Sequence, residues 1–188
     1  HSFPTRRSSD LNNKIGQVPV ELWKCRTLGV LNLSNTGQAS LDKEVCNLAN
    51  IENLYLNDNK IGQVPVELWK CRTLEVLKLS NTRQISLNKE VENLTNIKIF
   101  CLKDNKIGQV PVELWKCRKL EVLYLRSTGQ TSLNKEVGNL TNIEVLYLKD
   151  NKIGEVPMEL WKCGKLEELD LSNTGQTSLD HAVGNLTE

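Results

Sequence analysis

A block of 46 residues that recurs almost letter for letter constrains this chain more than any other feature: NKIGQVPVELWKCRTL begins at Asn13 and again at Asn59. The spacing halves, because Leu28, Ile51, Leu74, Ile97, Leu120, Ile143 and Leu166 stand 23 residues apart and each opens the pattern L-x-x-L-x-L-x-x-N/T. A unit this short cannot bury its own leucines. Copies must therefore stack around one continuous core, each adding a strand to a parallel sheet. With strands about 4.8 Å apart, seven copies make a curved strip of roughly 30 Å.

Two kinds of copy alternate, one reading LEVLYLRSTGQTSLNKEVGNLTN from Leu120 and the other IEVLYLKDNKIGEVPMELWKCGK from Ile143. Positions 1, 4 and 6 of each copy (Leu120, Leu123 and Leu125) are expected in the core. Position 9 holds Asn59, Asn105 and Asn151 in one kind and Thr36, Thr82, Thr128 and Thr174 in the other. These polar side chains are read as structural, satisfying backbone groups that the turn leaves unpaired. Pro65, Pro111 and Pro157 suit an extended return stretch, and the segments KEVxNL and ELWKC read as short helical or irregular turns on the far side. The architecture expected is an α/β solenoid, with a curved parallel sheet on the concave side and short turns on the convex side.

The strand signature and period are those of leucine-rich repeats. The 23-residue spacing with VP followed by x-E-L resembles the cytoplasmic Ras-associated leucine-rich-repeat scaffolds and related intracellular adaptor or resistance proteins. A second likeness, through G-x-I-P and L-x-N-L-T-N, is to the plant receptor-kinase repeat, which is about one residue longer. The first resemblance implies a protein-interaction scaffold in intracellular signalling, located in the cytoplasm. The second implies a ligand-sensing segment of a larger receptor, kinase or innate-immune protein. Every other copy departs from both, with Asp42, Asn88, Asn134 or Asp180 in place of proline and Gln38, Gln84, Gln130 or Gln176 in place of an apolar residue.

The repeats begin with a partial copy over residues 12–27 and run from 28 to 188. Residues 1–11, HSFPTRRSSDL, resemble the translation of a sequencing adapter, and Asp10 falls where other copies place the core leucines Leu56, Leu102 and Leu148. An unpaired aspartate there would be a costly buried charge, so the leader is set aside as non-native. Neither end of the repeat array carries a polar cap, and an isolated fragment of this kind is expected to associate end to end.

Little in the sequence supports catalysis. Apart from His1, His181 is the only histidine; there is no G-x-x-x-x-G-K loop, and NDNKIG from Asn57 places Ile61 at what would be a calcium-ligand position. No catalytic residue, metal site or cofactor is expected. The formal net charge of +1 argues against a polyanion such as nucleic acid, and no apolar run suits a membrane span. Cys25, Cys71, Cys117 and Cys163 alternate with leucines, as small buried residues would, and free thiols favour a reducing compartment. Cys101 is expected on the concave face. Trp23, Trp69, Trp115 and Trp161 are read as packing over small neighbours on the convex side, with an exposed second binding surface as the alternative. The N-L-T strings at Asn93, Asn139 and Asn185 are attributed to the repeat rather than to glycosylation.

Function is expected on the concave sheet, where positions 3, 5 and 7 alternate outward. Position 5 supplies Tyr55, Lys78, Tyr124 and Tyr147; position 7 supplies Lys103, Arg126 and Lys149; position 3 supplies Val122 and Val145 as a dry floor. These residues form the candidate protein-binding site, an aromatic and basic patch flanked by Glu75, Glu121 and Glu144 and suited to a partner of mixed polarity.

Overall fold

The computed structural model describes residues 15–179; the leader, His181, Asn185 and the last apolar turn lie outside the described residues. Seven three-residue strands form one parallel sheet in chain order: β1 (Val30–Asn32), β2 (Asn53–Tyr55), β3 (Val76–Lys78), β4 (Ile99–Cys101), β5 (Val122–Tyr124), β6 (Val145–Tyr147) and β7 (Glu168–Asp170). Each residue pairs with its counterpart one repeat on, as Leu54 does with Leu77 and Leu123 with Leu146. That register follows from the sequence period: a slip of one residue would turn every core leucine to the opposite face.

Between strands the chain returns through five-residue 3-10 turns such as Val66–Lys70 and Lys89–Asn93. The tighter i to i+3 hydrogen bonding rises about 2 Å per residue, so it spans the return in fewer residues than an α-helix would. These turns begin in two chemically different ways. In one kind of copy, a proline just before the turn has its own φ locked near the required value by its ring, at −65° for Pro65 and −68° for Pro111. In the other, Asn88 and Asn134 cap the turn, each side-chain oxygen accepting the N–H of Glu90 or Glu136 at 2.8 Å. The polar residue in place of proline is thus an equivalent solution to the same turn.

The core is one continuous column. Leu54, Leu77, Phe100, Leu123 and Leu146 at the strand centres are fully buried, as are Ile51, Leu74, Ile97, Leu120 and Ile143 at position 1. The tryptophans join that column and do not lie over the convex surface: Trp69 and Trp115 are completely buried, and Trp69 meets Phe100 edge-on at 6.4 Å. A second binding surface built on exposed indoles is thereby ruled out for these residues. Gly138, which holds the tryptophan position in the other kind of copy, leaves room for main chain, since a Cβ there would lie 2.7 Å from the Glu159 carbonyl oxygen. Cys71, Cys117 and Cys163 are buried in the same column, and burial pushes their thiols up to about 12, 12 and 11 respectively. Cys25 is exposed.

Buried polar side chains stitch successive repeats together. The Asn105 carboxamide oxygen accepts the N–H groups of Thr82 and Gln84 at 3.1 and 2.9 Å, while its nitrogen donates to the carbonyls of Leu79 and Leu102, both at 2.7 Å. Gln84, read from sequence only as a polar intrusion, is buried; it donates to the Gly62 carbonyl and accepts from the Val64 N–H. Thr82 closes its own turn by donating to the Leu79 carbonyl at 2.6 Å.

Position 8 of every described repeat adopts a left-handed conformation, with φ between 51° and 59°, and is Asn or Asp in all but Ser127. Those two residue types tolerate this region best after glycine. Two residues later the chain is left-handed again at Gly37, Gly129 and Gly175, but the corresponding residue in the third strand's repeat is Arg83, at φ 66°. Replacing Arg83 with glycine relieves that strain and is expected to stabilise the protein by about 0.5–1 kcal/mol after allowing for glycine's greater freedom when unfolded. Chemical denaturation checks this; a destabilised Arg83→Gly variant would show that the arginine side chain contributes more than its backbone costs.

Candidate protein-binding face

Parallel pairing aligns like positions into lanes that cross the strands. Tyr55, Lys78, Cys101, Tyr124, Tyr147 and Asp170 are consecutive register partners along one lane, and Val122 lies beside Val145 along the next. All nine residues singled out from sequence, Tyr55, Lys78, Lys103, Val122, Tyr124, Arg126, Val145, Tyr147 and Lys149, are exposed or half-buried. None belongs to the leucine column, as strand alternation requires.

The centre of the face is the Tyr124–Tyr147 pair, with ring centroids 5.0 Å apart at an interplanar angle of 72°. This edge-on arrangement places the positive rim of one ring against the negative face of the other, fixing two large amphipathic side chains before any partner arrives. The Tyr147 hydroxyl donates to the Glu168 carboxylate, and that bond pushes the phenol up to about 12. Glu168 escaped the sequence reading because position 3 elsewhere on this part of the face is apolar. The register sets Glu168 opposite Val145 and Asp170 opposite Tyr147, so the Tyr147 side chain reaches Glu168 diagonally across the two strands. At the other end of the lane, the Lys78 ammonium sits 5.4 Å from the centroid of the Tyr55 ring, within cation–π range.

Charge flanks this aromatic strip on both sides. On the side where the strands end, Arg126 pairs with Asp150 at 3.1 Å. The Asp150 carboxyl is held below its usual range, first by the Asn173 amide and then by Arg126 and Lys149. On the side where they begin, Lys98 pairs with Glu75 at 2.8 Å, and its ammonium is held protonated by that hydrogen bond and by the nearby Glu75, Glu121 and Glu52 carboxylates. Lys98 is thus the single cation in a lane that otherwise holds Gly29 and five glutamates.

Cys101 stands in the outward lane as expected, between Lys78 and Tyr124, but it is not open to solvent. Although it lies on the outward side of β4, only 6% of its surface is accessible, and its sulfur lies 2.9 Å from the equally buried Ser80 hydroxyl. These two short side chains sit between the longer Lys78 and Tyr124, leaving a depression of about 640 Å³ walled also by Lys103 and Asp104. The sulfur is therefore the floor of a hollow rather than an exposed nucleophile. Among the described residues no three His, Cys, Asp or Glu side chains gather as metal ligands would, and no helix is long and apolar enough to cross a membrane.

A family model for leucine-rich repeat regions matches residues 6–147 and again 57–188. No curated protein matches the chain at a significant level. Among solved structures, a leucine-rich-repeat protein of Leptospira interrogans is 32% identical with a TM-score of 0.86, over 90% of this chain and 43% of that one. The plant peptide hormone receptor RGFR1, solved in complex with RGF2, is 28% identical with a TM-score of 0.80, over 90% of this chain and 28% of that one. PEPR1 bound to AtPEP1 shares the fold at 20% identity and a TM-score of 0.71, over 90% of this chain and 32% of that one. The chain thus spans less than half the length of each of these proteins.

Proposed function

Taking as premise that the chain belongs to the leucine-rich-repeat family, we propose that it is an interaction module whose sheet face captures a partner protein around Tyr124 and Tyr147. The observation that carries this reading is the preformed aromatic pair, ringed by charge of both signs and fixed at a 5.0 Å ring separation. Such anchors bind at low entropic cost because little side-chain freedom remains to be lost. The module works without catalysis, as a scaffold that brings signalling proteins together. A reducing, cytoplasmic setting suits its six cysteines, none of which is paired. A second reading, the ligand-sensing segment of a larger receptor, is favoured by the likeness to RGFR1 in complex with RGF2.

Tyr124→Ala and Tyr147→Ala are each expected to weaken the partner by about 2 kcal/mol, roughly thirtyfold in Kd, while leaving the unfolding transition in place. The partner recovered by affinity capture would be titrated against the wild type and both variants. Unchanged affinity for both variants would remove this face as the site. Localisation of the tagged protein separates the two settings, since a secreted or surface-anchored product would exclude the cytoplasmic scaffold.

A further inference from the structure

We propose that the segment received by this face is an amphipathic α-helix lying across the strands. Its apolar ridge would lie on the Tyr124–Tyr147 pair, with a basic flank over Glu121 and Glu144 and an acidic flank over Lys103 and Lys149. The proposal rests on the protein-binding reading above and deepens it by naming the shape and charge of the partner.

Two observations carry it. The first is the division of charge. The ion pairs among the described residues use Glu75, Glu92 and Asp150, leaving Glu121, Glu144, Lys103 and Lys149 outside every pair. The free carboxylates stand at position 2 and the free ammonium groups at position 7, on opposite sides of the aromatic strip. A polyanion would be repelled by the first lane, and a uniformly basic segment by the second. Asp150, which stands beside Lys149, is already engaged by Arg126 and Asn173.

The second observation is geometric. Position 2 and position 7 bracket each three-residue strand five residues apart, at most roughly 17 Å. An extended segment laid across the strands sends its side chains alternately toward and away from the sheet, so it cannot serve the floor and both flanks together. A helix is about 10–12 Å across with its side chains and projects residues down and to both sides at every turn. Its pitch of about 5.4 Å also nearly matches the strand spacing of about 4.8 Å, so each turn meets one repeat over several strands.

The test uses the full chain and synthetic peptides of about 20 residues, followed by fluorescence anisotropy. One peptide carries leucines at helical spacing, lysines along one flank and glutamates along the other; a second differs only by two central prolines. The first is expected to bind at least about tenfold more tightly. Glu121→Lys with Glu144→Lys should cost it about tenfold, Glu121→Gln with Glu144→Gln less, and a peptide whose lysine flank is changed to glutamate should regain binding to the Lys variant. Equal affinity for the proline peptide, no effect of charge reversal, or no binding by either peptide overturns the helical partner. If the proline peptide binds equally well and Tyr124→Ala abolishes it, the face survives and only the helix is wrong. If Tyr124→Ala changes nothing, the face itself fails.

Discussion

Asn105→Ala is expected to cost about 3–4 kcal/mol of unfolding free energy, because one small side chain serves groups on two repeats. Its carboxamide satisfies the N–H groups of Thr82 and Gln84 and the carbonyls of Leu79 and Leu102, all in a region closed to water. Alanine fits the space but leaves those groups without this partner, and each buried unsatisfied group costs about 1–3 kcal/mol. Relaxation and water entry reduce the sum. Urea denaturation followed by tryptophan fluorescence measures the loss, and hydrogen exchange should place the loosened amides at Thr82 and Gln84. A loss below about 1 kcal/mol would mean that water enters the turn freely, and the reading of Asn105 as an inter-repeat stitch would be wrong.

Trp115→Ala should be equally severe, at about 3–5 kcal/mol, since it empties the space of a completely buried indole between close-packed repeats. Trp115→Phe separates packing from polarity. The indole N–H of Trp115, like those of Trp23, Trp69 and Trp161, is buried without a hydrogen-bond acceptor. Phenylalanine gives up some contact area but removes that unsatisfied donor, so it should cost no more than about 1.5 kcal/mol. If Phe proves as damaging as Ala, the N–H has a partner, such as an ordered water.

The sequence was most informative where a single residue's environment repeats. Period 23 determined the strand positions, the register and the leucine column, because each copy meets the same neighbours. It was less informative where the outcome depends on differences between adjacent copies. Cys101 occupies an outward position by alternation, yet Lys78 and Tyr124 on the neighbouring strands are long enough to cover it. Glu168 became part of the aromatic site only because β7 breaks the apolar pattern of position 3 diagonally across from Tyr147. The burial of the tryptophans was hidden for another reason: a position on the return turn can face inward or outward, and the 3-10 geometry that decides it leaves no clear periodic trace in five residues.

The alternation of stitches has a consequence for copy number. Asparagine in one kind of repeat reaches back to the threonine kind, as Asn105 does to Thr82 and Gln84, whereas glutamine in the threonine kind reaches back to Gly62 and Val64 of the asparagine kind. A junction between two repeats of the same kind would set each amide against a turn of the wrong backbone shape, since one kind is left-handed at Gly37, Arg83, Gly129 and Gly175 and the other two positions further on in the repeat, at Gly62, Gly108 and Gly154. Gain or loss of 23 residues would therefore create a phase error inside the array, while gain or loss of 46 would preserve every junction. Parity is the conserved quantity, and such a chain is free to lengthen its binding face only in steps of two strands, about 9.6 Å at a time.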